Sequence, residues 1–274
     1  MSIGGTSIEQ ALASLSDMTS GMVAIGKDEH AQRIAKAQAF MRQQGIAAIY
    51  LNAGANLTYF TGTKWYASER MVGAILPASG DIEYIAPAFE ESTLTGFMVI
   101  AGRVNCWEEH ESPYQLFVDV LARMGIAQDA NQPPRVGICE SAAFFIYDGI
   151  KPLAPGYALE NARTVTAYCR SRKSPAEIAL MQRVMDMTLA VHVATASMLY
   201  EGITTVEVEE FIQRAHRKVG APRSYFCIVL FGEATAYPHG VNYVQTLKAG
   251  DTVLIDTGCQ VMNYISDITR TYVF

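Results

Sequence analysis

This sequence has no excess of positive charge, no paired cysteines and no long apolar run. Lys and Arg total 21 against 27 Asp and Glu, a formal net charge of −6. A nucleic-acid or anionic-membrane partner calls for a basic patch, so neither is expected. The basic stretch Arg170-Ser171-Arg172-Lys173 is short and reads as solvated linker. Cys106, Cys139, Cys169, Cys227 and Cys259 stand singly, with no CxxC spacing. That pattern points to reduced, mostly buried thiols in a cytoplasmic protein. No apolar run approaches the ~20 residues that span a bilayer. The opening stretch MSIGGTSIEQALASLSDMTSG lacks a basic region and carries Glu9 and Asp17, so it is not expected to be a secretory signal.

What is present is a chain of 274 residues, half of them apolar and 18 % charged, enough for one large or two modest cores. Residues 1–27 read as an extension with a short amphipathic helix, loosely held or used as a dimer contact. An α/β domain is expected over 28–160. It opens with a helix ending at Gly45 and a short β-rich run, Ala47–Leu51. Strands Met71–Pro77 and Ile82–Pro87 are joined as a hairpin across Ser79-Gly80-Asp81. A helix over Pro113–Met124, a strand over Arg135–Cys139 and a helix over Ser141–Gly149 continue the alternation.

Pro152, Pro155 and Gly156 break the pattern, and residues 161–173 are expected to be a linker. A second domain is expected from residue 174 to 274. Ser174, Pro175 and Glu177 form a capping box that opens a helix with Ile178, Met181, Met185, Leu189 and Val193 on its core face. His192 beside that stripe reads as a packed or rim histidine. A second capped helix follows Gly202, with His216 on its polar, solvated side. Strands are expected over Ser224–Gly232, Asp251–Asp256 and Tyr264–Phe274, with Thr257–Asn263 as a connection.

Asp256 and Asp267 therefore sit in two neighbouring strand patterns. Paired antiparallel and directly opposed, their Cβ atoms would lie roughly 4.5–5.5 Å apart. Two buried carboxylates at that distance repel unless they share a proton or hold a cation between them. A pair of ions suits that spacing, with Mn²⁺ or Mg²⁺ favoured by oxygen ligands, and Zn²⁺, Co²⁺ or Fe²⁺ if imidazole joins. The plainer alternative is that Asp256 starts a turn and Asp267 lies on an exposed face.

Asp256-Thr257-Gly258 followed by Tyr264-Ile265-Ser266-Asp267-Ile268-Thr269-Arg270-Thr271 resembles the metal-binding strand pair of the pita-bread-fold metallopeptidases. That family includes the Xaa-Pro aminopeptidases and Xaa-Pro dipeptidases (prolidases), with creatinase and the methionine aminopeptidases as relatives. Arg172–Glu177, Asn56–Gly62 and Pro238-His239 are similar to further family motifs. The resemblance implies a creatinase/prolidase-type α/β N-terminal domain followed by an α+β pita-bread catalytic domain. It also implies two divalent metal ions, manganese first, with Co, Zn or Fe as alternatives. Asp256 would bind one ion and Asp267 would bridge both. His239 would be the catalytic hydrogen-bond donor to substrate or oxyanion, and Thr269 a supporting hydrogen bonder. Trp65 and Tyr66 are candidates for a lip that limits substrate length.

The implied activity is cleavage of the bond before proline in a peptide or dipeptide, by a homodimer. A related amidohydrolase acting on a small amide, creatinase-like or ectoine hydrolase-like, is the second reading, and an inactive peptide-binding relative the third. The additional N-terminal domain disfavours a methionine aminopeptidase. The family completes its site with a His and two Glu further downstream, which this sequence lacks. The chain is therefore expected to be part of a polypeptide of roughly four hundred residues, with its site incomplete and inactive alone.

Overall fold

Two sets of internal contacts divide the computed structural model, which describes residues 3–274. One unit is Ile25–Arg172, and the other joins the residues up to Ala24 with Lys173–Phe274. The first helix, α1 (Ile8–Ala13), belongs to the latter and starts with a capping box between Ser7 and Gln10. It is not loosely held. Ala11 and Leu15 are buried in that unit's core, and Met18 N–H donates to Val219 O at 3.0 Å.

Within Ile25–Arg172, α2 (Lys27–Gln44) ends at Gly45, whose φ of 67° takes the left-handed C-cap conformation. There follow β1 (Ile46–Asn52), α3 (Ala55–Thr61), β2 (Gly73–Pro77), β3 (Glu83–Pro87), α4 (Glu91–Phe97), β4 (Arg103–Trp107), α5 (Pro113–Arg123), β5 (Arg135–Ile138), α6 (Phe144–Ile150), β6 (Ala158–Asn161) and α7 (Arg163–Arg170). The six strands form one mixed sheet in the order β4-β3-β2-β1-β5-β6. Its central strands are apolar on both faces. Ile49, Leu51, Ala74, Leu76 and Tyr84 pack with Met41, Leu57, Phe60 and Val165 on one side. Ala48, Tyr50, Ile75, Ile85 and Val136 pack with Phe117, Leu121 and Ile146 on the other. Burial on both faces is the reason for the continuous apolar runs.

The expected hairpin is β2–β3, paired antiparallel. The expected linker over 161–173 is mostly the helix α7. Its residues Val165 and Cys169 are core members, so those positions are part of the sheet's cover and not a tether. The Asn56–Gly62 motif ties this unit together. Asn56 Oδ1 accepts from Arg170 Nη1 at 2.6 Å, and Asn56 Nδ2 donates to Glu140 Oε1 at 3.0 Å. Tyr59 OH donates to Cys169 O at 2.9 Å. Trp65 packs partly buried against the core, whereas Tyr66 is exposed.

The other unit contains α8 (Pro175–Met198), α9 (Thr205–Lys218), β7 (Ser224–Phe231), β8 (Thr252–Val261), β9 (Tyr264–Ile265) and β10 (Ile268–Val273). The antiparallel sheet runs β10-β8-β7, and β9 pairs with the end of β8. Residues 253, 255 and 259 of β8 and 229 and 231 of β7 face the helices. Ser174, Pro175 and Glu177 open α8 as expected. Its core face differs from the expected one. Ile178 and Val193 are 56 % and 53 % exposed, and Leu180, Val184, Met187 and Val191 are buried instead. The helix is apolar around most of its circumference, so periodicity alone left its rotation open. Among the described residues, no helix is long and apolar enough to cross a membrane.

His216 is fully buried, not solvated. Its Nδ1 lies 2.7 Å from Ser224 Oγ and its Nε2 3.2 Å from Thr188 Oγ1. Burial, with a smaller contribution from the neighbouring His192, pushes its pKa down to about 4 from 6.5. The charged imidazole is thus disfavoured in the fold, and the unfolded chain binds the proton first. The stability is fully present above pH 6.5 and is lost as pH falls towards 4, at a cost of roughly 3 kcal/mol. His192, lowered mainly by burial, adds to the same trend. Urea midpoints measured between pH 6.5 and 4.5 should fall for the wild type and fall less steeply for His216→Gln; equal slopes would refute the assignment.

Candidate metal and substrate site

On β8 the residues facing the helices are apolar or small, so Asp256 projects from the opposite face of the sheet. Its Oδ1 is buried and accepts no hydrogen bond. Directly across the ladder stand Thr269 of β10 and Ile228 of β7. Asp267 is therefore not opposite Asp256. It is exposed and lies with Ser266 in a break between β9 and β10. Continuing the register brings Asp267 opposite Gly258 and so diagonal to Asp256, and diagonal positions in such a ladder are roughly 7–8 Å apart. The expected single strand Tyr264–Phe274 is interrupted here, while Thr257–Val261, expected as a connection, extends β8.

Packing determines where the break falls. A Cβ at Gly258 would lie 1.8 Å from Ser266 O, so only glycine admits that carbonyl. Ser266 N–H donates to Cys259 O at 2.9 Å, and Ser266 Oγ accepts from Cys259 N–H at 2.8 Å. The same hydroxyl is 2.7 Å from Thr188 Oγ1 on α8. Upstream, Met262 and Asn263 form the two-residue turn with φ of 49° and 69°, the left-handed pair that a tight hairpin requires. Tyr264 OH donates to Glu177 Oε1 at 3.0 Å, and Ser174 N–H donates to Glu177 Oε2 at 2.9 Å. Downstream, His192 Nε2 is 2.9 Å from Ile268 O. With the carbonyl as acceptor, this nitrogen carries the proton. Asp267 is thus bracketed by two residues that α8 holds from below.

His239 is exposed in the loop after β7 and lines a cleft of about 310 Å³. Glu209 and Thr205 of α9, and Ile228 of β7, line it too. Because Ile228 is the ladder partner of Asp256, the cleft begins one strand away, about 4.8 Å in sheet spacing. Within the described residues, no three or more His, Cys, Asp or Glu side chains come together as a metal cluster. The orphaned oxygen of Asp256 and the hard carboxylate donors fit a divalent cation as part of a ligand set. They do not make a complete one. Sequence reasoning singled out Asp256, Asp267 and His239 but missed the supports Thr188, Tyr264 and Ser266, and missed Glu209. Glu177 was legible only as a cap, because its bond to Tyr264 spans 87 residues.

Residues 33–172 match the creatinase/prolidase N-terminal domain, and residues 179–274 match metallopeptidase family M24. The chain belongs to this family, with its pita-bread fold. An uncharacterized peptidase of Schizosaccharomyces pombe is 30 % identical over 93 % of this chain and 57 % of its own length. The crystal structure of dipeptidase PepE from Mycobacterium ulcerans is 26 % identical, with a TM-score of 0.81 over 92 % of this chain and 66 % of that one. A prolidase from Thermococcus sibiricus is 26 % identical, with a TM-score of 0.77 over 89 % and 65 %. The chain thus spans between 57 % and 66 % of these relatives.

The close approach at Gly258 yields a direct test. Gly258→Ala should cost at least about 2 kcal/mol, since backbone must shift to admit the methyl. Gly96→Ala, in α4 with no atom within 4 Å of the added Cβ, should be neutral or stabilising by about 0.5–1 kcal/mol. Equal denaturation midpoints for the two variants would contradict this account of the strand break.

Proposed function

We propose that the protein serves a metal-dependent hydrolase that cleaves the bond before proline in dipeptides or short peptides. The observation that carries this reading is the buried, unpartnered Oδ1 of Asp256. A carboxylate oxygen withdrawn from water without a hydrogen-bond donor is costly unless a cation or proton meets it. Family membership and the dipeptidase and prolidase named among its structural relatives favour the cation.

In this proposal Asp256 and Asp267 hold two divalent ions, manganese foremost. What such ions supply when bound is Lewis acidity and a water acidified towards neutral pH. The chain's own residues do the rest. Thr269, across the ladder from Asp256, offers a hydroxyl to orient that carboxylate. His239 extends into the cleft, where its N–H can hydrogen-bond the substrate carbonyl and stabilise developing negative charge. Ser266 and His192 keep Asp267 in place.

The test uses the polypeptide as its host produces it, supplied with Mn²⁺ and offered an Xaa-Pro dipeptide, a longer Xaa-Pro peptide, creatine and ectoine. Hydrolysis of the proline substrates is expected, and Asp256→Asn or Asp267→Asn should lower kcat/KM at least about a hundredfold. Turnover of creatine or ectoine alone would remove the Xaa-Pro reading. Peptide binding without turnover would point to a binding module. For the 274 residues alone, calorimetric titration with Mn²⁺ should show weak uptake and no peptide hydrolysis, because no cluster of three ligands forms among the described residues. Tight binding of two ions by this stretch would contradict that.

A further inference from the structure

Glu209 is half-buried on α9 at the wall of the cleft that holds His239. Its carboxylate accepts no hydrogen bond and pairs with no cation among the described residues. By contrast, Glu207, two residues earlier, is used in the helix cap, where its Oε2 accepts from Thr204 N–H at 2.9 Å and from Thr204 Oγ1 at 2.6 Å. Burial raises the pKa of Glu209, with no neighbouring positive charge to offset it. A carboxylate drawn partly out of water next to an open cleft gains by meeting a positive charge there. The rest of the wall is mixed: Thr205, Asn242 and Gln245 are polar, and Val206 and Ile228 offer apolar surface against which the methylene stem of a long cationic side chain can lie.

Resting on the peptidase reading above, we propose that Glu209 is a specificity-determining residue that pairs with a positively charged group of the substrate, as in a Lys-Pro or Arg-Pro peptide. The cleft follows β7, whose Ile228 pairs with Asp256, while Glu209 stands on the helix-covered side of that strand, so a long side chain passing the β7 edge connects the two. Neither motif containing the aspartates includes Glu209. It therefore sets which peptide is taken, not how the bond is cut.

Equilibrium binding separates this assignment from the activity itself. Calorimetry with Lys-Pro and norleucyl-Pro, equal in stem but not in charge, should show Lys-Pro bound about tenfold tighter. Glu209→Gln should bring the ratio to about one, and Glu209→Lys should turn preference towards Glu-Pro. Both ligands share the α-ammonium, so the preference should persist when both are N-acetylated, which assigns the side chain as the cation; its loss on acetylation would overturn the pairing. A ratio near one in the wild type, or one unchanged in Glu209→Gln, would overturn the proposal while leaving hydrolysis of Ala-Pro intact. Failure of every dipeptide to bind would overturn both this and the peptidase reading.

Discussion

The contact on which the second unit depends is the seating of Ser266 O against Gly258, in a space that any Cβ would fill. It fixes where the ladder between β8 and β10 stops. Without it, the strand from Tyr264 would run straight on, and Asp267 would move along the sheet. Because the Ser266 hydroxyl is simultaneously bound to Cys259 N–H and close to Thr188 Oγ1, the break is anchored to both strand and helix. One small side chain and one missing side chain thus determine the position of a carboxylate that neither of them touches.

The same helix holds the break at three heights. Glu177 near its start takes Tyr264 OH, Thr188 meets Ser266, and His192 meets Ile268 O. These polar residues lie on the buried face, among Leu180, Val184, Met187 and Val191. Each would be expensive there without its bond. Their burial accordingly makes the placement of β9 and β10 specific, since a shift of register would leave several polar groups unsatisfied together. His216 extends the set to α9 and the start of β7, and its depressed pKa reflects how completely water is excluded.

Legibility in the sequence followed the range of the interactions. Capping at Ser174 and the C-cap at Gly45 depend on residues within a few positions and were visible as patterns. The strand pair carrying Asp256 and Asp267 was recognisable as a motif, yet its register was not. The hydrophobic alternation of YISDITRTYVF gives no sign of a break that a distant glycine imposes. The face of α8 was misassigned because apolar residues surround it, and only the sheet beneath decides which stripe is covered. His216 looked solvated since its partners, Thr188 and Ser224, lie 28 and 8 residues away. Residues 161–173 read as a linker for their charge, although Val165 and Cys169 within them were core-forming. Asn56 and Arg170 likewise declare nothing locally, because each is satisfied by the other across 114 residues.

Two carboxylates in the second unit differ from the rest in being withdrawn from water without an internal partner. Asp256 has a buried oxygen with no donor, and Glu209 is half-buried beside a cleft with no cation near it. Folding alone favours neither arrangement, because both side chains could be replaced by neutral ones of like size at no loss of contacts. Glu177, Thr188 and Ser266 in the same unit are bonded, and the other buried atoms there without a partner, His192 Nδ1 and the Tyr272 hydroxyl, belong to no carboxylate. The two sites lie near each other, with Ile228 pairing to Asp256 on one side and lining the cleft of Glu209 on the other. Unspent negative charge concentrated around one strand is what a surface looks like when its counter-charges come from outside the chain. Metal ions at the aspartates and a cationic substrate at the glutamate supply them in the proposed function.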